Sequence, residues 1–270
     1  MTTAVFLALS AVGFFGVGRA ASGATRQVTA LKFQSHNKTI HADCYEPTAT
    51  PPIGSVIVLH GAGGTFFDGP AMKRAATACT DRGLCAYVVH YFDGSGVRFT
   101  TSDRTLGEHY NEWLAVVQDA VTFAQDRQPD RTRPVFIYGY SMGAFLSLNA
   151  ASDNPKVGAV AEQAGGVWDN KVERVGRMPP VLMIHGREDR RVTFDKYVPS
   201  LEKALRRRGG IVETFFVPGE GHSFKAEAEQ QAHAKAADFF VRQSGGGKPG
   251  RRAGRGAIQS DTQRPQPSFR

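Results

Sequence analysis

Short apolar runs alternate with helical segments along most of this 270-residue chain. Continuous apolar runs are typical of strands that are buried on both faces of a sheet. Six such runs occupy residues 55–59, 84–91, 135–138, 157–161, 181–184 and 211–216. Apolar residues at helical spacing predict helices over residues 70–82, 106–124, 144–151, 194–208 and 225–241. This alternation predicts an α/β fold, with a mostly parallel sheet covered by helices on both faces.

Two local patterns refine this expectation. Residues 28–33 and 40–46 alternate apolar and polar side chains on either side of a turn at 35–38, which predicts an N-terminal antiparallel hairpin. Thr105 and Glu108 have the spacing of a capping box, so we expect the helix over 106–124 to begin there.

The first 24 residues have the pattern of a secretory signal peptide. Residues 4–18 are apolar or small and uncharged, and small residues after Arg19 offer cleavage points at Ala20 and Ala24. The apolar stretch is too short to span a bilayer comfortably. Residues 1–3 lack the positive charge that such signals usually carry. We therefore expect an exported protein, periplasmic or secreted, without stable membrane association after cleavage. A cytoplasmic protein, an uncleaved anchor and a misplaced start codon are the alternatives.

The net charge of +8 is concentrated near the C-terminus. Residues 244–270 contain six basic residues and one acidic residue, and Arg19 is the other unbalanced charge, so residues 25–243 have a net charge of only +2. A nearly neutral body predicts no nucleic-acid partner. Because residues 244–270 are rich in Gly, Pro and Arg and poor in apolar side chains, we expect a disordered basic tail after one domain spanning 25–243. A functional basic arm is the alternative.

The chain has three cysteines, which leaves one unpaired if a disulfide forms. Cys79 and Cys85 flank a turn between a helix and a strand, so these two could pair in an oxidising compartment. Cys44 is then left over. The alternative is that all three are small buried thiols.

A Gly-x-Ser-x-Gly motif joins the strand over 135–138 to the helix over 144–151. It reads Gly139-Tyr140-Ser141-Met142-Gly143. A strand that runs straight into such a motif and then a helix forms a sharp, strained turn, which exposes the serine hydroxyl at the edge of the sheet. Ser141 is therefore the candidate nucleophile.

A serine hydroxyl needs a base and a group that orients that base. Asp189 follows the strand over 181–184 and is the expected acid; Glu188 is its nearest rival, with Glu162 and Asp169 more distant. Of the eight histidines, only His222 combines a glycine-rich loop with a position after the last strand. The other seven lie in the hairpin, on helices, in a strand or at strand ends before glycines: His36, His41, His60, His90, His109, His185 and His233.

The developing oxyanion requires backbone donors beside the nucleophile. The amide of Met142, directly after Ser141, is one expected donor. The second is expected from the loop after the strand over 55–59, where Ala62 is preferred and Gly63 is the alternative. The glycine cluster at 61–64 has a simpler explanation as well, since it permits a tight turn between strand and helix.

The candidate nucleophile, acid and base occur along the chain in the order Ser, Asp, His. They lie in three motifs that follow the glycine-rich loop: His60-Gly61-Ala62-Gly63-Gly64, then Gly139–Gly143, His185–Asp189 and Gly221–Phe224. Together they resemble the α/β-hydrolase superfamily over residues 28–243, and the compact length without a lid insertion looks most like its dienelactone-hydrolase-like branch. The resemblance implies hydrolysis through a covalent acyl-enzyme, with no cofactor and no metal. Dienelactone hydrolases proper use a cysteine where this chain has Ser141, which leaves a lactone substrate open.

Aromatic residues follow several strands at the expected active-site edge. Phe66, Phe67, Phe92 and Trp168 are candidates to line an acyl pocket, or else belong to the core. The absence of a lid insertion favours short-chain or aryl esters over triglycerides. A serine peptidase of the same fold and a non-catalytic binding protein are the alternatives. Arginines in nearby loops are candidates to attract an anionic substrate, or are simply solvated: Arg98, Arg187 and Arg190.

Overall fold

The computed structural model describes residues 28–48, 51–168 and 171–245. Within them, strands and helices alternate as the sequence predicts. The strands are β1 (Val28–Ser35), β2 (Lys38–Tyr45), β3 (Ser55–Leu59), β4 (Cys85–Val89), β5 (Val135–Tyr140), β6 (Val157–Gln163), β7 (Val181–Gly186) and β8 (Val212–Val217). The helices are α1 (Gly64–Phe67), α2 (Gly69–Thr80), α3 (Asp103–Asp126), α4 (Met142–Ala151), α5 (Phe194–Arg207) and α6 (Ala226–Gln243), with a 3₁₀ turn at Val172–Arg174.

These strands form one sheet in the order β1-β2-β4-β3-β5-β6-β7-β8. β1 and β2 form the N-terminal hairpin, and β2 pairs antiparallel with β4. The remaining pairs from β4 to β8 are parallel. The α/β-hydrolase fold expected from the sequence, including its hairpin, is confirmed. In the β3–β5 ladder Leu59 lies opposite Gly139, so the loops after these two strands leave the sheet side by side.

Both faces of the sheet are buried, which explains why its central strands read as continuous apolar runs. Ile57 and Leu59 of β3 pack with Trp113 on the face that α3, α4 and α5 cover. Val56 and Val58 point to the opposite face, which α2 and α6 cover. All five residues of β3 are buried, as expected for a strand between two helical layers.

The start of α3 differs from the expected capping box. The cap residue is Ser102, whose side chain accepts a hydrogen bond from the Thr105 amide at 3.3 Å, and the helix begins at Asp103. Thr105 is therefore inside the first turn, and Glu108 instead accepts a hydrogen bond from Arg104 at 2.7 Å. Asp103 adds a negative charge to the first turn, where it stabilises the helix dipole. The predicted cap was wrong by one turn.

Of the two alternatives for the cysteines, the structure has three buried thiols and no Cys79–Cys85 disulfide. Cys79 packs on the face covered by α2 and α6, whereas Cys85 packs on the opposite face, so the sheet separates them. The Cys85 sulfur lies instead 3.7 Å from the Cys44 sulfur on the neighbouring strand β2.

The two chain termini lie largely outside the described residues. The signal peptide expected over residues 1–24 is not among them, and of the tail expected over 244–270 only the first two residues are. Among the described helices, none is long and apolar enough to cross a membrane. Export and the basic tail stay predictions.

Candidate active site

Ser141 occupies a strained turn between β5 and α4. Its backbone dihedrals are φ 51° and ψ −117°, a conformation that non-glycine residues rarely adopt. The Ser141 amide donates to the Gln163 carbonyl at 2.8 Å, and the Ser141 carbonyl accepts from the Ala144 amide at 2.8 Å. These bonds hold the turn between β6 and the first turn of α4. Strain of this kind concentrates at functional sites.

The two glycines of the motif allow the close packing that this turn requires. A Cβ atom at Gly139 would lie 2.3 Å from the Gly143 carbonyl oxygen. A Cβ atom at Gly143 would lie 2.5 Å from the carbonyl oxygen of His60, at the end of β3. Both distances are far inside van der Waals contact. Glycine at these positions therefore lets α4 begin against β3 and β5.

The structure brings Ser141, His222 and Asp189 into one hydrogen-bonded chain. His222 Nε2 lies 2.9 Å from Ser141 Oγ, and His222 Nδ1 lies 2.8 Å from Asp189 Oδ2. Ser141 and Asp189 are 6% and 4% exposed, while the His222 side chain is 18% exposed. This is the arrangement of nucleophile, base and orienting acid that serine hydrolysis requires.

Backbone amides and two histidines hold Asp189 as a carboxylate. Its Oδ1 accepts hydrogen bonds from the amides of Arg191 at 2.8 Å and Val192 at 2.9 Å. Burial opposes ionisation, but hydrogen bonds from His185 and His222 outweigh it and hold the pKa of Asp189 well below its ordinary value. Its rival Glu188 is exposed, and Asp169 lies outside the described residues.

Glu162, the other rival, is fully buried next to His185. His185 Nε2 donates to the Val192 carbonyl at 2.8 Å and lies 3.4 Å from Asp189 Oδ2. Glu162 Oε2 accepts from the Gly165 amide at 3.1 Å, and burial raises the pKa of Glu162 to about 8. Burial opposes protonation of His185, yet its hydrogen bond with Asp189 raises its pKa. His185 thus braces the acid loop.

The loop that carries His222 is fixed against the end of β7. A Cβ atom at Gly186 would lie 2.3 Å from the Glu220 carbonyl oxygen, so only glycine lets the loop approach this closely. The Glu188 amide also donates to the Glu220 carbonyl, at 3.0 Å. On the other side, the Tyr140 hydroxyl donates to the His222 carbonyl at 3.4 Å. The imidazole therefore lies between two anchored backbone segments.

The loop after β3 lies beside the nucleophile as expected. Ala62 and Met142 line the same pocket as Ser141. The Gly63 amide donates to the carboxylate of Asp68 at 3.1 Å, so it is already engaged and Ala62 is the better second donor. The Met142 amide belongs to the first turn of α4, whose amides have no carbonyl partner within the helix.

Asp68 is a residue of this loop that the sequence reasoning missed. It directly precedes α2 and has the position of a helix cap, but its side chain makes no capping hydrogen bond. Its carboxylate turns back to the loop instead, where burial raises its pKa against hydrogen bonds from the Gly63 and Gly61 backbone. An aspartate directly before a helix is typical of a helix cap, so no sequence signal indicated the hydrogen bond between the Asp68 carboxylate and the Gly63 amide.

The four aromatic candidates separate into three environments. Trp168 lines the pocket of about 330 Å³ that contains Ser141. Phe92 is 5% exposed and stacks on Trp113 at 4.1 Å, so it belongs to the core. Phe66 and Phe67 are 62% and 60% exposed at the surface beside the loop after β3. Neither they nor Phe92 line the pocket around Ser141.

Basic residues at the pocket also differ from those expected. Arg191 and Lys196 line it, whereas Arg187 covers the Phe194 ring at 4.2 Å and Arg98 lies 5.9 Å from the Phe66 ring centre. Arg190 is exposed and does not line the pocket. Among the described residues, no group of three or more His, Cys, Asp or Glu side chains could hold a metal ion.

Residues 40–243 match the sequence profile of the Dienelactone hydrolase family. The chain belongs to this family. The dienelactone-hydrolase-like resemblance drawn from the motifs is thereby confirmed, and the protein is a hydrolase that acts on esters. Curated protein sequences gave no significant match.

Solved structures of the same fold extend this comparison. A dienelactone hydrolase from Anabaena variabilis is 20% identical, with a TM-score of 0.66 over 81% of this chain and 98% of that one. A dienelactone hydrolase-like promiscuous phosphotriesterase from metagenomic libraries is 16% identical, with a TM-score of 0.68 over 80% and 98%. Est1E from Butyrivibrio proteoclasticus is 15% identical, with a TM-score of 0.60 over 79% and 98%. At these identities the likeness establishes the fold.

Proposed function

We propose that the protein is a serine hydrolase that cleaves carboxylic esters of short-chain or aryl acids through an acyl-enzyme. The observation that carries this proposal is the hydrogen-bonded chain from Ser141 Oγ through His222 to Asp189, with distances of 2.9 and 2.8 Å. A hydroxyl is a weak nucleophile at neutral pH, and a base within hydrogen-bonding distance removes that limitation.

In the first half of the reaction, Ser141 Oγ attacks the ester carbonyl while His222 Nε2 takes the hydroxyl proton. The ionised Asp189 stabilises the imidazolium that forms. The amides of Met142 and Ala62 donate to the oxyanion of the tetrahedral intermediate. The intermediate collapses as His222 gives its proton to the departing alkoxide, which leaves as the alcohol and leaves an ester on Ser141.

In the second half, water attacks the ester on Ser141. His222 removes a proton from that water, and the same two amides donate to the second tetrahedral oxyanion. Return of the proton to Ser141 Oγ releases the carboxylic acid and the free enzyme. Each step uses only side chains and amides at the pocket, so the mechanism requires no cofactor.

Substrate size is limited by the pocket around Ser141, of about 330 Å³. Apolar side chains of Leu106, Phe145 and Trp168 line part of it, which favours an apolar acyl group. A lactone is an internal ester and fits the same mechanism. Lactone hydrolysis, after which the family is named, therefore belongs to the same reaction class, although here a serine replaces the cysteine nucleophile.

The test is hydrolysis of p-nitrophenyl acetate by the purified protein. Ser141→Ala should abolish turnover, with an unchanged circular dichroism spectrum, because the substitution removes only the nucleophile. A peptide anilide serves as the control substrate, since its selective cleavage would favour a peptidase. Inertness toward a fluorophosphonate probe together with absent ester turnover would favour a non-catalytic binding protein.

A further inference from the structure

A second cavity adjoins the pocket that contains Ser141. This side cavity has a volume of about 190 Å³ and lies between α3, α4 and residues 167–168 and 171–175. Phe145 and Trp168 line both spaces. These two side chains therefore form the wall that the side cavity shares with the pocket of Ser141.

The inner wall of the side cavity is apolar and aromatic. Tyr110 and Phe145 are each 6% exposed, Leu148 is 3% exposed and Val175 is 8% exposed. The Trp168 ring centre lies 5.0 Å from that of Tyr110 and 5.9 Å from that of Phe145. Rings at such distances offer the faces and edges that a further aromatic ring packs against.

The Tyr110 hydroxyl on this inner wall is already hydrogen-bonded. The Tyr110 hydroxyl donates to the Phe145 carbonyl at 3.2 Å and accepts from the Asn149 side-chain amide at 3.3 Å. An occupant therefore need not supply a hydrogen bond to Tyr110. This inner wall favours an apolar occupant, because a polar group placed against it would lose its hydration without a new partner. Most of the rest of the lining is polar or charged: Asn111, Asn149, Ser152, Lys171 and Arg174.

The volume sets the size of that occupant. An apolar cavity of about 150 Å³ is large enough to hold benzene. The side cavity, at about 190 Å³, exceeds this size. A phenyl ring, or a branched apolar group of similar size, therefore fits in the side cavity by volume.

We propose that the side cavity is the acyl subsite and that it takes a phenyl-sized apolar group joined by a short linker to the ester carbonyl. Arylalkanoyl esters are then the substrate class. This inference rests on the proposed function, because the acyl group reaches the cavity from Ser141. It adds the part of the site that selects the acyl group.

The kinetic test compares the p-nitrophenyl esters of 3-phenylpropionate and acetate. The quantity compared is the kcat/KM for the phenylpropionate ester divided by the kcat/KM for the acetate ester. Val175→Phe should fill the side cavity and lower this ratio by about tenfold or more, because the phenyl ring of the substrate loses its buried site. Ile211→Phe is the matched control, because Ile211 is 60% exposed and lines neither cavity. An unchanged ratio in Val175→Phe would overturn the proposal.

Val175 is buried, so its enlargement can impair folding. Asn111→Trp is the second variant, since Asn111 is exposed on α3 and lines the side cavity from its rim. Folding of both is checked by circular dichroism and thermal melting. A folded Asn111→Trp protein should show the same fall in the ratio, and a ratio equal to that of the wild type counts against the subsite.

A binding measurement separates this inference from the proposed function. The chain has two tryptophans, Trp113, which is fully buried, and Trp168. Titration with the neutral ketone 4-phenylbutan-2-one should change the tryptophan fluorescence of the wild type in a saturable manner. The change should be smaller in Asn111→Trp, after correction for the fluorescence of the added indole. It should be absent in Trp168→Phe. Absent ester turnover with intact binding would refute the proposed function alone. Ester turnover without saturable binding would refute the subsite.

Discussion

Among single residues, Asp189 shows how the surroundings of a carboxylate define its chemistry. One oxygen accepts two backbone amides and the other faces two imidazoles, so the side chain has a fixed orientation and a fixed charge. Neighbouring Glu188 is exposed and has neither feature. The two acids are adjacent in sequence, yet only Asp189 can orient His222.

Replacement of Asp189 by Asn should therefore preserve the fold and reduce catalysis. The amide cannot stabilise an imidazolium and favours the wrong histidine tautomer, so we expect kcat on p-nitrophenyl acetate to fall by about 10³-fold to 10⁴-fold. Glu188→Gln is the matched control and should stay within about twofold of the wild type, since an exposed side chain away from the histidine contributes little. A reversed order of sensitivity would make Glu188 the acid.

Glu162 supplies a pH dependence of stability. Burial raises its pKa to about 8 from an ordinary value of 4.5. The folded state then holds a proton that the unfolded state releases, so this contribution to stability is complete below about pH 4.5 and is lost as the pH rises through about 8. His185, beside it, is the charged neighbour that opposes this shift.

The corresponding prediction concerns Glu162→Gln. The free energy of unfolding of this variant should decline less between pH 5 and 8 than that of the wild type, by about 1 kcal/mol per pH unit. Urea denaturation at several pH values measures the difference. Glu202→Gln is the control: this half-buried side chain of α5 pairs with Arg206, and its substitution should leave the slope unchanged over this pH range. Parallel pH profiles for wild type and Glu162→Gln would contradict the raised pKa.

The junction of β5 with α4 depends on how closely two elements approach each other. A Cβ atom at Gly143 would meet the carbonyl oxygens of His60 at 2.5 Å and Leu59 at 2.6 Å. Both are backbone atoms of the segment that leads into the loop with Ala62. Added volume at Gly143 therefore moves the nucleophile and its expected oxyanion donor apart.

Gly143→Ala should destabilise the protein by about 1–3 kcal/mol and reduce kcat strongly, because the overlap is with backbone rather than with a flexible side chain. Gly107→Ala in α3 is the matched control. A Cβ atom there would approach only the Trp168 ring, at 4.0 Å. Since Gly weakens a helix interior by about 1 kcal/mol relative to Ala, this control should be neutral or stabilising. Thermal melts and kinetics that rank the two variants equally would show that the junction tolerates a side chain.

The sequence predicted the elements well where burial alone defines them. Each central strand was recognised as an apolar run, but β5, β6 and β7 extend further, to Tyr140, Gln163 and Gly186. Those last residues are polar or glycine, yet they remain paired in the parallel ladder. Periodicity cannot detect them, because the ends of these strands hold the site rather than the core.

Contacts between distant segments were less accessible from sequence. Ser141, Asp189 and His222 were expected to meet because each follows a strand end that parallel pairing brings to the same edge, and their side chains do form one hydrogen-bonded chain. Phe92 and Trp168 both follow strands as well, but one packs on Trp113 in the core and the other lines the pocket. Sequence position does not define which way a loop turns, so packing alone distinguishes them.

For the whole molecule, the residues of the candidate site and most of the net positive charge lie on opposite sides of the end of α6. The helix ends at Gln243, and the Ser244 amide caps it by donating to the Phe240 carbonyl at 2.9 Å. The family match also ends at residue 243. Every residue assigned to the site precedes this point, whereas most of the net positive charge follows it.

Truncation after Gly245 should therefore leave catalysis unchanged. This end point keeps the Ser244 cap of α6. We therefore expect kcat/KM on p-nitrophenyl acetate to stay within about twofold of that of the full chain, and the Tm to stay within about 2 °C. Truncation after Val241 is the control, since it removes both the end of the helix and the Ser244 bond and should lower the Tm. A large loss of activity on removal of residues 246–270 alone would give the basic segment a role at the site.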